Sequence, residues 1–177
     1  MFSPTRRVLS VAAGSNLLNA TATLQTSRPW HTDGKSNKCA DNALTMDDIF
    51  KGRKVVLFFV PAPFTGTCTN AHVPGFVKFV PEFKAKGVDE IICCSVADPY
   101  AQFNWAQKMG VNLDDISFLV DWDASFCREH DLLSDYSETG LGVRSKRASM
   151  VVQDGLVKSF QFVQDAENDG QVCLDQC

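Results

Sequence analysis

Val55-Val56-Leu57-Phe58-Phe59-Val60 runs directly into Pro61-Ala62-Pro63-Phe64-Thr65-Gly66-Thr67-Cys68, and the reading of this stretch decides the fold. The first six residues are β-branched, aromatic or leucine without a polar interruption, the pattern of a strand buried on both faces. Two prolines and a glycine then mark a turn. Beyond Cys68, the residues His72, Phe76, Phe79 and Val80 are spaced for one helix face, with Pro74 placed to kink that helix or to sit in its first turns. Strand, turn, cysteine, helix is an order that carries chemistry. In open α/β sheets ligands bind outside the carboxyl ends of the strands. A cysteine in the first turn of a helix faces unpaired N–H groups and the positive end of the dipole, both of which favour thiolate over thiol. The bland alternative is a small buried hydrophobe, the fate of most free cysteines.

Working outward, the same rhythm continues. Thr45 followed by Met46-Asp47-Asp48 reads as a capped helix start, ending near Gly52. Glu90–Ala97 reads as a second buried strand, Tyr100–Met109 as a helix, Ser117–Val120 as a third strand and Ala124–His130 as a helix. Ala148–Val152 and Leu156–Val163 flank Gln153-Asp154-Gly155, a hairpin signal. Leu17, Leu18 and the Thr/Ala alternation after them could form a first strand, and His31–Asn42 reads as a loop. Alternating strands and helices with a terminal hairpin predict an α/β domain of three layers, its mixed central sheet covered by helices on both faces.

The chain has 177 residues, enough for one domain with a substantial core, and 45% of them are hydrophobic. A net charge of −4 argues against a nucleic-acid partner held by phosphate neutralisation. The longest apolar run is too short to span a bilayer. Seven cysteines is an odd count without a secretory signature, which suggests thiols kept reduced. No acidic residue precedes Asp33, whereas Arg6, Arg7 and Arg28 do, a composition shared by mitochondrial transit peptides. Residues 1–12 therefore read as an N-terminal extension, a short targeting segment or a plain terminus, and residues 13–177 as the domain. The cytoplasm is the expected location, with the mitochondrion as the alternative.

These residues resemble the peroxiredoxins, in particular the type II, or atypical two-cysteine, branch. The resemblance rests on Pro61-x-x-x-Thr65-x-x-Cys68, His72-Val73-Pro74-Gly75-Phe76, Gly87-Val88-Asp89-Glu90-Ile91-Ile92-Cys93, Ser95-Val96, Asp98-Pro99 and Gly140-Leu141-Gly142-Val143-Arg144-Ser145-Lys146-Arg147. It spans about Gly14 to Val163. The resemblance implies a thioredoxin-like fold and a thiol peroxidase that reduces hydrogen peroxide and alkyl hydroperoxides through a cysteine sulfenic acid, without metal or other cofactor. It implies Cys68 as the peroxidatic nucleophile, Thr65 hydrogen-bonding thiolate or peroxide, Arg147 supplying a permanent charge and a fork of donors, and Pro61 shielding the sulfur. A homodimer is expected, with glutathione and glutaredoxin, or thioredoxin, as the reductant.

A second thiol must condense with the sulfenic acid before over-oxidation. Cys93 lies where plant-like members of the branch carry their second cysteine, and Cys173 roughly where animal members carry theirs. Neighbours in a strand point to opposite faces, so only one of Cys93 and Cys94 can face the active site. Cys39, Cys173 and Cys177 lie in polar contexts, and Cys127 reads as packing. The branch usually reads Pro-Gly-Ala-Phe-Thr-Pro before its cysteine, so Ala62, Pro63 and Gly66 move the loop's rigidity toward the strand. The terminal helix of the family is expected to be absent or stunted, because Ala166–Cys177 is short and polar. Trp30, Trp105 and Trp122 read as core or rim packing. Two rival functions remain at this level. One is a redox sensor or relay that uses Cys68 without efficient turnover. The other is a Cys–His hydrolase built on Cys68 and His72, for which no Asp or Asn in a recognisable place orients the histidine.

Overall fold

The computed structural model describes residues 10–30 and 34–177; the Arg6-Arg7 stretch of the expected targeting segment and His31 lie outside the described residues. Asn16 caps a short 3-10 turn at Leu17–Asn19, so the first strand, β1, comes later than the Leu17-Leu18 pattern suggests, at Leu24–Thr26. Strand β2 is Ala43–Leu44. Helix α1, Met46–Phe50, starts in a full capping box: Thr45 Oγ1 accepts from Asp48 N–H while the Asp48 carboxylate accepts from Thr45 N–H.

The deciding stretch forms β3, Lys54–Phe59. A π-helix follows at Cys68–His72, then α2 at Val73–Val77 and α3 at Val80–Ala85. The single helix expected here is broken at Lys78 and Phe79, and Pro74 sits in the first turn of α2. Next come β4 (Glu90–Ser95), α4 (Pro99–Met109), β5 (Ser117–Val120) and α5 (Ser125–Glu129). Asp98 caps α4 by accepting from Tyr100 and Ala101 N–H, Pro99 occupies its first turn, and Gly110 ends it in the left-handed conformation. A small two-stranded sheet of β6 (Leu133–Asp135) and β7 (Val143–Ser145) was not legible in the sequence. The chain closes with the hairpin β8 (Ala148–Gln153) and β9 (Leu156–Phe162), then α6 (Asp169–Asp175). Asp154 and Gly155 both have positive φ, 48° and 75°, as the tight hairpin turn requires.

Among the described residues the main sheet has seven strands in the order β2-β1-β5-β4-β3-β8-β9. Strands β3, β4 and β5 are parallel, while β8 joins β3 antiparallel, so the sheet is mixed as expected. Alternation along β3 divides the core. Val55, Leu57 and Phe59 face α1 and α5 with Phe50, Phe126 and Cys127. Val56, Phe58 and Val60 face the other layer with Cys68, Phe76, Phe83, Trp105 and Leu174. Both faces of β3 are therefore covered, which is why its sequence lacks the polar alternation of a half-exposed strand.

The register of β8 on β3 positions the functional end. Phe59 pairs with Ala148, so Arg147 arrives beside the carboxyl end of β3, where the chain turns toward Cys68. Ser145 Oγ ties the incoming segment to Val60 O at 2.8 Å.

Candidate active site

Helical conformation begins at Gly66, which puts Cys68 in the first turn, 1% exposed. Val73 N–H reaches back five residues to Cys68 O, so the turn carrying the cysteine is wider than an α-helix. Just before it, Phe64 holds a φ of 63° and is 58% exposed, a left-handed conformation costly for an aromatic residue. The rigid Pro61–Pro63 segment thus leads into a strained loop.

Arg147 Nη2 donates to Cys68 Sγ at 3.4 Å, and Arg147 Nη1 donates to His72 Nδ1 at 2.9 Å. Pro61 is buried at the strand end. Thr65 lies one turn before Cys68, but its hydroxyl donates to Ala62 O at 2.9 Å, not to the sulfur. Its oxygen keeps lone pairs that can accept.

Strand alternation separates the paired cysteines: Cys93 lies in the layer of Cys68, Cys94 in the opposite one. Burial pushes the Cys93 thiol well above its ordinary range, and repulsion from Cys94 and then Cys68 adds to this. Cys173 is not in the polar setting its neighbours suggest. It is 1% exposed on the buried face of α6, where burial first and the Asp169 carboxylate second push its thiol upward. Cys177 is half-buried, and Cys39 is exposed, accepting from Gln25 Nε2 at 2.8 Å. All seven cysteines are free thiols.

The partner of His72 escaped the sequence reading, which found no Asp or Asn to orient it: Asp169 does so. His72 is fully buried, and its Nε2 lies 2.7 Å from Asp169 Oδ2, 97 residues away and also buried. Burial pulls His72 below its ordinary value of 6.5, Asp169 opposes that shift, and Arg147 assists it. No local pattern could have disclosed this pair, because Asp169 comes from α6. The helix is short, as expected, but it is present and docked. His72 packs edge-on against Phe58, with ring centroids 5.0 Å apart. Since Nδ1 faces Arg147 and Nε2 faces Asp169, His72 makes no hydrogen bond to Cys68 of the kind a Cys–His hydrolase needs. Of the tryptophans, Trp105 is core, whereas Trp30 and Trp122 are 70% and 46% exposed.

A sheet of this order with a cysteine at the carboxyl end of β3 defines a thioredoxin-like thiol protein, and comparison with known proteins narrows it. The Redoxin family model matches residues 20–172. The chain is 41% identical over 178 residues to "Peroxiredoxin-2F, mitochondrial" of Oryza sativa subsp. japonica, covering 97% of this chain and 87% of the relative. It is 42% identical over 164 residues to the protein of the same name from Arabidopsis thaliana, covering 92% and 79%. Among solved structures, reduced Prx3 of Vibrio vulnificus in complex with hydrogen peroxide superposes with a TM-score of 0.75 at 30% identity, covering 92% of this chain and 99% of that one. The chain belongs to the redoxin family, and within it to the type II peroxiredoxins. It is a thiol-dependent peroxidase with an antioxidant role, acting on a peroxide and regenerated by a thiol reductant.

Proposed function

We propose that Cys68 is the peroxidatic thiol, with Arg147, Thr65 and Pro61 completing its site. The observation that carries this reading is the Arg147 guanidinium 3.4 Å from a nearly buried Cys68 Sγ at a helix start. The Cys68 thiolate attacks one peroxide oxygen, the O–O bond breaks, and the other oxygen leaves as hydroxide or alkoxide and takes a proton. The sulfur is left as sulfenic acid. Arg147 Nη2 stabilises the charge that develops on the oxygens. Thr65, its proton committed to Ala62 O, offers lone pairs to the peroxide O–H. Pro61 closes the strand without an N–H that would need a partner.

For resolution the geometry favours Cys93 as the internal thiol. It shares a layer with Cys68 and lies close enough for Cys68 to add to the upward push that burial and Cys94 give its thiol. Cys173 is tied into α6, with its Sγ 4.0 Å from Asp169 Oδ1. Either route needs the π-helix to unwind, since Cys68, Cys93 and Cys173 are all buried. Glutathione with glutaredoxin, or thioredoxin, then returns the enzyme to the thiol form. Two relatives named as mitochondrial, together with the basic start of the chain, support the mitochondrion over the cytoplasm. Exposed Phe64, Trp122 and Val143 follow or border the carboxyl ends of the parallel strands and support a homodimer across that rim.

The test counts free thiols before and after one equivalent of hydrogen peroxide, with peptide mapping of the product. Loss of two thiols per chain with a Cys68–Cys93 linkage is expected, and Cys93→Ser is expected to lose one. If Cys68→Ser consumes peroxide at the wild-type rate, the assignment fails. A Cys68–Cys173 peptide would transfer the resolving role to α6.

A further inference from the structure

Behind Arg147 the polar contacts continue as an unbroken chain into the C-terminal helix. Arg147 Nη1 can only donate, so His72 Nδ1, at 2.9 Å, must accept. A neutral ring then carries its proton on Nε2, which donates to Asp169 Oδ2 at 2.7 Å. The other carboxylate oxygen, Oδ1, accepts from Ser149 Oγ at 2.8 Å and Gln161 Nε2 at 2.6 Å. Ser149 and Gln161 are register partners on β8 and β9, so the sheet itself grips the carboxylate. Helix α6 reaches this position because it lies against α2 with almost no gap. A Cβ on Gly170 would stand 2.3 Å from Gly75 O, and one on Gly75 would stand 2.7 Å from Glu167 O. Two glycines therefore set how near Asp169 comes to His72.

We propose that Asp169 is a positioning residue for the peroxidase: its carboxylate holds His72 in the Nε2–H tautomer, which presents Nδ1 to Arg147 and so fixes the guanidinium fork with Nη2 on Cys68. Asp169 touches neither sulfur nor substrate, and it acts through two intervening side chains. A wrong tautomer would place a ring N–H against an Arg147 N–H, and the guanidinium would swing from the sulfur. The charged and titratable groups that face Cys68 are Arg147 from the start of β8, His72 on its own helix and Cys93 from β4, with Asp169 from α6 behind His72.

The sign of one measurement separates positioning from simple charge. If Asp169 acted only as a nearby negative charge, removing it would ease thiolate formation. If it positions Arg147, removing it withdraws the cation and hinders thiolate formation. Asp169→Asn keeps the shape and the acceptor oxygen for Ser149 and Gln161, but it can set an amide N–H against His72 Nε2. The pH profile of Cys68 alkylation by iodoacetamide, followed by peptide mass, is expected to move its midpoint to higher pH. The rate of Cys68 oxidation by hydrogen peroxide at pH 7 should fall by roughly 10- to 100-fold, the scale of an ångström of misplacement. In an Arg147→Gln background the same substitution should change neither reading further. Gly170→Ala changes no side chain of the network but forces α6, and Asp169 with it, away from Gly75. It is expected to move the midpoint in the same direction, and it carries the test if Asp169→Asn does not fold. A midpoint that stays or moves down, or an effect that persists without Arg147, overturns the proposal. The inference rests on Cys68 as the peroxidatic thiol, but alkylation reads Cys68 without turnover. Failure of that assignment would show in Cys68→Ser activity instead.

Discussion

Arg147 serves two acceptors at once, Cys68 Sγ through Nη2 and His72 Nδ1 through Nη1. A lysine offers one compact ammonium on a flexible stem and cannot span both with fixed geometry. Arg147→Lys should therefore keep the charge yet lower the second-order rate with hydrogen peroxide by roughly 100-fold, the cost of losing an aimed donor. Competition against a peroxidase of known rate measures this. His72 makes a separate prediction about stability. Its folded value is depressed below 6.5, chiefly by burial, so between that depressed value and 6.5 the unfolded chain binds more protons than the folded one. Stability contributed by neutral His72 is full above 6.5 and declines as pH falls below it. The thermal midpoint should drop on acidification from pH 7 toward pH 5, a slope that calorimetry on His72→Gln should find shallower. Cys68, Thr65, Pro61 and Arg147 could be singled out as candidates because they carry a motif. Asp169 could not be, since a lone Asp in a polar tail looks like any solvated acid until α6 brings it to the histidine.

Among the elements, those with local signatures formed as expected and those that depend on neighbours did not. Strand β3, the capped start of α1, helix α4 between Asp98-Pro99 and Gly110, and the Asp154-Gly155 hairpin each carry their cause within a few residues. The helix after Cys68 is otherwise. Its periodicity reads as one element, yet it is a π-turn, α2 and α3, because Pro74 lacks an N–H and Phe79 leaves the helical region with a φ of −109°. Strands β6 and β7 have too little apolar pattern to announce themselves and are held by pairing with each other. Helix α5 is short, and its start depends on a residue outside it. The buried Asp121 carboxylate accepts from Phe126 N–H at 3.2 Å and Cys127 N–H at 2.8 Å. Asp121→Ala should strand those donors and cost about 1–3 kcal/mol, read as a lower urea midpoint. It should leave peroxide kinetics unchanged, because α5 lies on the face of the sheet opposite Cys68.

At the scale of the molecule, the mixed sheet gathers the site by joining distant segments at the carboxyl end of β3. The same end carries Phe64, Val143 and Trp122, exposed by 58%, 55% and 46%. If the homodimer forms across this rim, Phe64→Glu combined with Val143→Glu should convert a dimer to a monomer in sedimentation velocity, while Trp30→Glu should not. The sequence by itself determined the α/β class, the three layers and the place of Cys68 after β3. Those follow from hydrophobic period, turn chemistry and a motif, all of which act over a few residues. Tertiary structure alone decided that Cys93 and not Cys94 shares the layer of Cys68, that Cys173 is buried, and that Trp30 and Trp122 are exposed. It also decided that Arg147, His72 and Asp169 meet in one line behind Cys68. Packing sharpened the order of the seven cysteines, setting Cys93 in the layer of Cys68 and Cys173 out of solvent. Burial and hydrogen bonding are set by what the rest of the chain places nearby, through strand register and the close approach of Gly75 to Gly170, which no local window contains.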